Sequence, residues 1–239
     1  FGCTFLNNDA ALDGGGLYSV SGRVDACTFL NNTASNNGGG AYIYGLQNMS
    51  GSGTLTNQVS ERDYPWMFIG WETLLPGMTP THHRVGGISR CTFDGNAAGA
   101  DGGGMYFTAD RYDARTTVLG ISNLVNNVAG GSGGGIYSAS TNVRIRFIDG
   151  FPAGNATAGG DGGAICAYFS LPNLAYQDEY YPSTDPFLFA GNQAASAGAI
   201  YLQGTNDVVF SNCVFMYNSA VGIPGGAGGH GGAILATGD

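Results

Sequence analysis

Apolar and polar positions alternate along this chain in short bursts, and the bursts recur. Cys3-Thr4-Phe5-Leu6-Asn7-Asn8 returns 24 residues later as Cys27-Thr28-Phe29-Leu30-Asn31-Asn32. Looser copies are Cys91-Thr92-Phe93-Asp94-Gly95-Asn96, Cys213-Val214-Phe215-Met216-Tyr217-Asn218, Ser122 to Asn127 and Phe189 to Asn192. A second motif follows each copy: a glycine pair and then two apolar residues, as in Gly15-Gly16-Leu17-Tyr18, Gly39-Gly40-Ala41-Tyr42 and Gly134-Gly135-Ile136-Tyr137. Side chains alternate along a strand, so Cys and Phe of the first motif share an inward face and Thr points outward. Each repeat therefore predicts two short strands joined by a glycine-rich corner. A unit this small cannot bury its apolar face alone, but stacked copies form a continuous core. The expected fold is all-β: a right-handed parallel β-helix (β-solenoid) of about seven coils, with two long loop insertions. Seven coils at roughly 4.8 Å each make a rod of about 30–35 Å.

Spacing sets the expected register. The step from Asn8 to Gly16, Asn32 to Gly40, Asn96 to Gly104, Asn127 to Gly135 and Asn155 to Gly163 is eight each time. On this count Asn8, Asn32, Asn96, Asn127, Asn155, Asn192 and Asn218 stack at one corner. Asn tolerates the left-handed backbone of a sharp turn, and stacked amides can hydrogen-bond along the rod. Successive members of this ladder lie 24, 64, 31, 28, 37 and 26 residues apart. The excess length falls after the glycine-pair strand, so the insertions leave one side of the rod. The two longest cover 45–90, with Trp66, Trp71, His82 and His83, and 168–186, with Tyr180 and Tyr181. Aromatic loops on a rigid scaffold suit recognition of proteins or glycans, and equally suit covering the coil beneath them.

Composition narrows the function. Glycine supplies 43 of 239 residues, with no every-third-residue period, which excludes collagen. Only 10% of residues are charged, and the net charge of −9 leaves no basic footprint for a nucleic-acid partner. No run of 18 apolar residues occurs, so no membrane-inserted helix is expected from this segment. The chain opens inside a repeat, and a single β-helix domain over 1–239, forming part of a longer chain, is the expected organisation.

Several constellations invite chemistry. Asp13, Asp101 and Asp161 each precede a glycine run, with Asn37 in the equivalent place. Calcium turns look similar, but the nonapeptide calcium pattern is missing and Asx-turn capping explains the placement without a metal, so no cofactor is expected. Five cysteines fit no zinc spacing and are expected as buried thiols. A catalytic β-helix needs a convergent acid/base pair or a basic group beside a bound cation. No Asp-Asp pair occurs, all eight basic residues are Arg, and His230 lies in a glycine-rich turn, so no enzymatic activity is expected. Asn31-Asn32-Thr33, Asn48-Met49-Ser50 and Asn155-Ala156-Thr157 are N-glycosylation sequons. Asn31 and Asn48 are the expected accessible ones, because the ladder assignment buries Asn155.

The paired motifs Phe-x-x-Asn and Gly-Gly followed by two apolar residues resemble the repeats of the chlamydial polymorphic outer membrane proteins. Similar repeats occur in surface proteins of algae and other microbes. Phe5-Leu6-Asn7-Asn8, Phe29-Leu30-Asn31-Asn32, Phe93-Asp94-Gly95-Asn96, Phe189-Ala190-Gly191-Asn192 and Phe215-Met216-Tyr217-Asn218 carry the likeness. Two copies depart from it: Leu124 stands where Phe is expected, and Asn155 follows Phe151 by four residues. The resemblance implies a surface-displayed β-helix used in adhesion and supplies no catalytic residues. The expected role is a noncatalytic extracellular or cell-surface structural protein mediating adhesion or assembly, with a component of an extracellular filament as one form. Its partners would be other surface proteins, glycans or further copies of itself, end to end or laterally. The competing expectation is a carbohydrate-active β-helix enzyme, a polysaccharide lyase or hydrolase.

Overall fold

Strands too short to bury an apolar face in isolation find their partners one repeat away. In a computed structural model, residues 2–20, 24–44, 87–108, 117–139, 143–147, 152–168, 186–204, 213–223 and 228–237 are described. They form seven coils of three strands each, and every pairing between coils is parallel. Coil two is representative, with strands Thr28–Leu30, Thr33–Ala34 and Ala41–Tyr44. The first sheet stacks Thr4–Leu6, Thr28–Leu30, Gly87–Asp94, Thr117–Val125, Pro152–Gly154, Phe187–Ala190 and Cys213–Met216, with Val24–Asp25 and Val143–Phe147 pairing beside this path. The third sheet stacks the seven strands that follow the glycine runs, from Leu17–Ser19 to Ile234–Thr237. The protein is a parallel β-solenoid.

Two strands per repeat were expected, and the structure has three. The added one is a residue pair directly after the ladder position: Asp9–Ala10, Thr33–Ala34, Ala97–Ala98, Val128–Ala129, Thr157–Ala158, Gln193–Ala194 and Ser219–Ala220. Two residues carry no readable period. The constant feature is an alanine at the second, inward position, and Ala34, Ala98, Ala129, Ala158 and Ala194 are buried.

The core lies between the first and third sheets. Phe5, Phe29 and Phe93 stack with ring centroids 4.7 Å apart, and Phe189 stacks on Phe215 at 4.9 Å. These distances equal the spacing between hydrogen-bonded strands, so the sheet dictates the ring stack. Ala41, Met105, Ile136, Ile165 and Ile200 face this column from the third sheet and are fully buried. Cys27 and Cys91 continue the inward face of the first sheet; all five cysteines are thiols, but only Cys27, Cys91 and Cys166 are buried as expected, whereas Cys213 is half-buried and Cys3 exposed.

At the glycine corner the section is only two backbones thick. A Cβ at Gly39, Gly103, Gly134 or Gly163 would strike main-chain atoms of the next coil's second sheet and glycine run. The second glycine of the pair meets both the next coil's carbonyl and the core, with Gly40 O and Gly135 O each 2.7 Å from a Cβ at Gly16 and Gly104. A Cβ at Gly16 would lie 3.0 Å from a Phe29 ring carbon, and one at Gly104 would lie 3.2 Å from Leu124 Cδ1.

Candidate functional site

Three columns of polar side chains run along the rod, each built by one position of the repeat. The innermost is the asparagine ladder. Asn32 donates its main-chain N–H and its Nδ2 to Asn96 Oδ1, both at 3.0 Å, and a second Nδ2 hydrogen to Phe5 O at 2.9 Å. Asn96 does the same toward Asn127 Oδ1 and Phe29 O, each at 3.0 Å. Asn8 donates to Asn32, and Asn192 to Asn218. Asn32, Asn96, Asn127 and Asn192 are wholly buried, so each amide replaces its lost water with protein partners.

Asn155 does not belong to this ladder, which corrects the expectation drawn from spacing. Its φ of +54° and its exposure place it one position earlier, in the outer corner with Asn7, Asn31 and Asn126. Ala156 takes the inner position, fully buried, and donates its N–H to Asn192 Oδ1 at 3.1 Å. The register misleads because three signature residues become alanine in this one coil. Ala153 pairs with Leu124 and Phe189 in the aromatic column, Ala156 replaces the asparagine, and Ala164 replaces the second glycine. The left-handed turn, moreover, sits just before the ladder rather than on it, at Asn7, Asn31, Gly95, Asn126, Asn155, Gly191 and Tyr217.

The second column contains the acidic corner residues. Asn37 N donates to Asp13 Oδ1 at 2.9 Å, Asp101 N to Asn37 Oδ1 at 3.1 Å, Ser132 N to Asp101 Oδ1 at 2.7 Å and Asp161 N to Ser132 Oγ at 3.0 Å. Capping within each residue's own turn was expected. The structure instead links successive coils, forming a second ladder of mixed Asp, Asn and Ser. Among the described residues no group of three or more His, Cys, Asp or Glu is placed to hold a metal ion.

The third column lies on the outward face of the third sheet. Tyr18, Tyr42, Tyr106 and Tyr137 stack at 5.0, 4.9 and 5.1 Å with nearly parallel rings. Cys166 and Tyr201 follow in register. Ring faces cover one another, so the column shows solvent its ring edges and hydroxyls. In the sequence motif these tyrosines are only the second apolar residue after the glycine pair. Alternation in the strand, with Leu17, Ala41, Met105 and Ile136 inward, is the signal that places them outside.

Stacking changes their acidity. Burial, then the neighbouring Tyr106 and Asp13, push the Tyr42 phenol up to about 12. Burial and Asp101 also raise Tyr106 and Tyr137. In the unfolded chain a tyrosine ionises near pH ~10. Between that pH and about 12 the unfolded state therefore loses the Tyr42 proton while the folded state keeps it. Stability is full below pH ~10 and falls as pH rises through this window. Ultraviolet titration of tyrosinate should show a late-ionising group among the 13 tyrosines, coincident with alkaline unfolding. One uniform transition near pH ~10, with the fold intact, would contradict the stack.

Trp66, Trp71, His82, His83, Tyr180, Tyr181 and Asn48 lie outside the described residues. His230 is exposed, as expected. The backbone that leads into the insertions is described: the third-sheet strands Ala41–Tyr44 and Ile165–Tyr168 precede 45–86 and 169–185. The tyrosine column and the N-terminal roots of both long insertions thus share one sheet.

Residues 26–44 match the Chlamydia polymorphic membrane protein repeat. That span is coil two, from the residue before Cys27 to the end of its third strand, so one polymorphic membrane protein repeat corresponds to one turn of the solenoid. Both quoted motifs of that coil, Phe29 to Asn32 and Gly39 to Tyr42, lie within the match. No curated protein and no solved structure matches the chain. No helix among the described residues is long and apolar enough to cross a membrane.

Proposed function

We propose that this chain is a noncatalytic segment of an extracellular or cell-surface structural protein whose solenoid displays its insertions for adhesion or assembly. The observation that carries this reading is the shared sheet: the tyrosine hydroxyl column lies in the sheet from which insertions 45–90 and 168–186 depart. The polymorphic membrane protein repeat at 26–44 supports the surface location. The buried columns between coils have structural work to do. Asp13 and Asp101 each accept a main-chain N–H, which suits a scaffold better than a proton-transfer pair. Exposed aromatic edges and hydroxyls favour partners that offer hydrogen bonds, among them surface proteins and glycans.

Replacing 46–84 with a short Gly/Ser linker and measuring adsorption to immobilised cell-surface extracts and glycans tests this reading. Binding should fall at least tenfold while the β-sheet circular dichroism persists. Undiminished binding, or release of shortened chains from acidic polysaccharides by the intact protein, would overturn it. Assembly is the second form of the reading. Leu6, Leu12, Tyr18 and Val20 are exposed on the first coil, and Met216, Tyr217, Val221 and Ile223 on or after the last first-sheet strand. A further coil, from the same polypeptide or another copy, would cover such side chains. Rods longer than one molecule in electron micrographs favour assembly, and uniformly short rods count against it.

A further inference from the structure

We infer that the outer corner preceding the asparagine ladder is an N-glycan acceptor face, with Asn31 and Asn155 as its two attachment points. Four asparagines occupy this corner in the left-handed conformation: Asn7, Asn31, Asn126 and Asn155. Only Asn31 and Asn155 have a hydroxyl residue two positions on, Thr33 and Thr157. The coil geometry distributes each sequon across three environments. Its asparagine is exposed at the corner, its middle residue, Asn32 or Ala156, is buried, and its threonine returns to the outward face of the second sheet. The modified residue is therefore separate from the buried ladder, and an oligosaccharide on it displaces no interior contact.

A second observation singles out the same two residues. The next coil places a glycine beside each: Gly95 beside Asn31 and Gly191 beside Asn155. A Cβ at Gly191 would stand 2.7 Å from Asn155 Oδ1, and one at Gly95 would also strike Asn31 Oδ1. Asn7 and Asn126, which lack the hydroxyl, are followed by Asn31 and Asn155 instead. On the Oδ1 side, toward the next coil, the corner beside both sequon amides is therefore cleared of side chains. Asn155 Nδ2 donates to Asn126 Oδ1 at only 3.4 Å, and a glycosylated amide keeps one N–H for such a bond.

In the modification, Nδ2 attacks the anomeric carbon of a lipid-diphosphate-linked oligosaccharide. A carbon–nitrogen bond forms, the anomeric carbon–oxygen bond breaks, lipid diphosphate leaves, and the amide releases one proton. The glycans would project over the second sheet's outward residues, including Thr33, Val128 and Gln193, and keep that side from lateral contact. The tyrosine column stays open.

This inference rests on the extracellular reading, but its test does not use adhesion. The full chain is secreted from a eukaryotic host and treated, without denaturation, with peptide N-glycosidase in heavy-oxygen water. Both the Asn31 and Asn155 peptides should carry the label. Label at neither site, at Asn48 alone, or at one of the two only would overturn the shared face. Asn31→Gln and Asn155→Gln should each remove one glycan and cost the deglycosylated protein no more than the roughly 1–2 kcal/mol strain of a Gln in the left-handed conformation. A loss of stability matching that of Asn96→Ala would assign them to the structural ladder and overturn the inference.

Discussion

Gly103→Ala will lower the stability of this solenoid by about 3 kcal/mol or more, at or beyond the upper end of ordinary overpacking. Gly103 has no positive φ, so alanine is acceptable to its own backbone. The obstacle is its neighbours. A Cβ there would run into Gly134 O and Val128 O, the former at the equivalent position of the next coil's glycine run and the latter in its second sheet. Side chains relieve overpacking by changing rotamer, but both obstacles are carbonyls inside hydrogen-bonded stacks. Gly104 N donates to Gly134 O at 3.2 Å, and Thr157 N to Asn127 O at 3.0 Å, so moving either strand disturbs bonds on both sides. Gly154→Ala is the control. Its Cβ would meet only Ala190 O, at 3.1 Å, and a shift of a few tenths of an ångström accommodates it. Urea denaturation of the two variants should separate them clearly, with Gly154→Ala staying within about 1 kcal/mol of the parent. Equal midpoints would mean that the glycine column is not a close backbone contact.

The same close packing explains what could be read from the sequence. Large repeated residues betray themselves: Phe29 and Asn32 recur at a fixed offset because a stack admits only a like neighbour. That made the β-solenoid and six of the inner asparagines visible. Small residues carry less information. Ala34, Ala98 and Ala129 mark an entire sheet, but two-residue strands leave no period to detect. In coil five, Ala153, Ala156 and Ala164 erase the aromatic, amide and glycine signals together. Asn155 then offered the same eight-residue count to the wrong glycine. The eight-residue step marks the ladder in four coils and misses it in the one where every anchor is an alanine.

The polar columns were hidden for another reason. Asp13 and Asp101 look like turn caps or metal ligands in sequence, because their true partner is the N–H of a residue one coil away. Tyr42 and Tyr106 belong to a motif whose hydrophobic reading is correct for the preceding residue and wrong for them. Inward and outward positions differ by one residue in a strand, and tyrosine satisfies either environment. The insertions carry Trp66, Trp71, Tyr180 and Tyr181 on stretches without a repeat, so no stacking constraint exposes their arrangement.

Asn96→Ala should cost about 3–5 kcal/mol, because it breaks a buried network while leaving its partners behind. The wild-type Oδ1 accepts from Asn32 N and Asn32 Nδ2, and Nδ2 donates to Phe29 O and Asn127 Oδ1. After truncation, Asn32 N–H, one Asn32 Nδ2 hydrogen and the freed bond to Phe29 O face an apolar gap. Each unsatisfied buried group costs about 1–3 kcal/mol, and a water entering the gap would recover part of that. The protein already contains the converse case, since Ala156 offers no side-chain oxygen to Asn127. Ala156→Asn should therefore raise the unfolding free energy by about 1 kcal/mol, and the urea midpoint with it, by giving Asn127 the acceptor that other ladder members have. If both changes leave the midpoint unmoved, the inner amides are passengers on sheet pairing. Opposite shifts would show that the ladder binds each coil to the next.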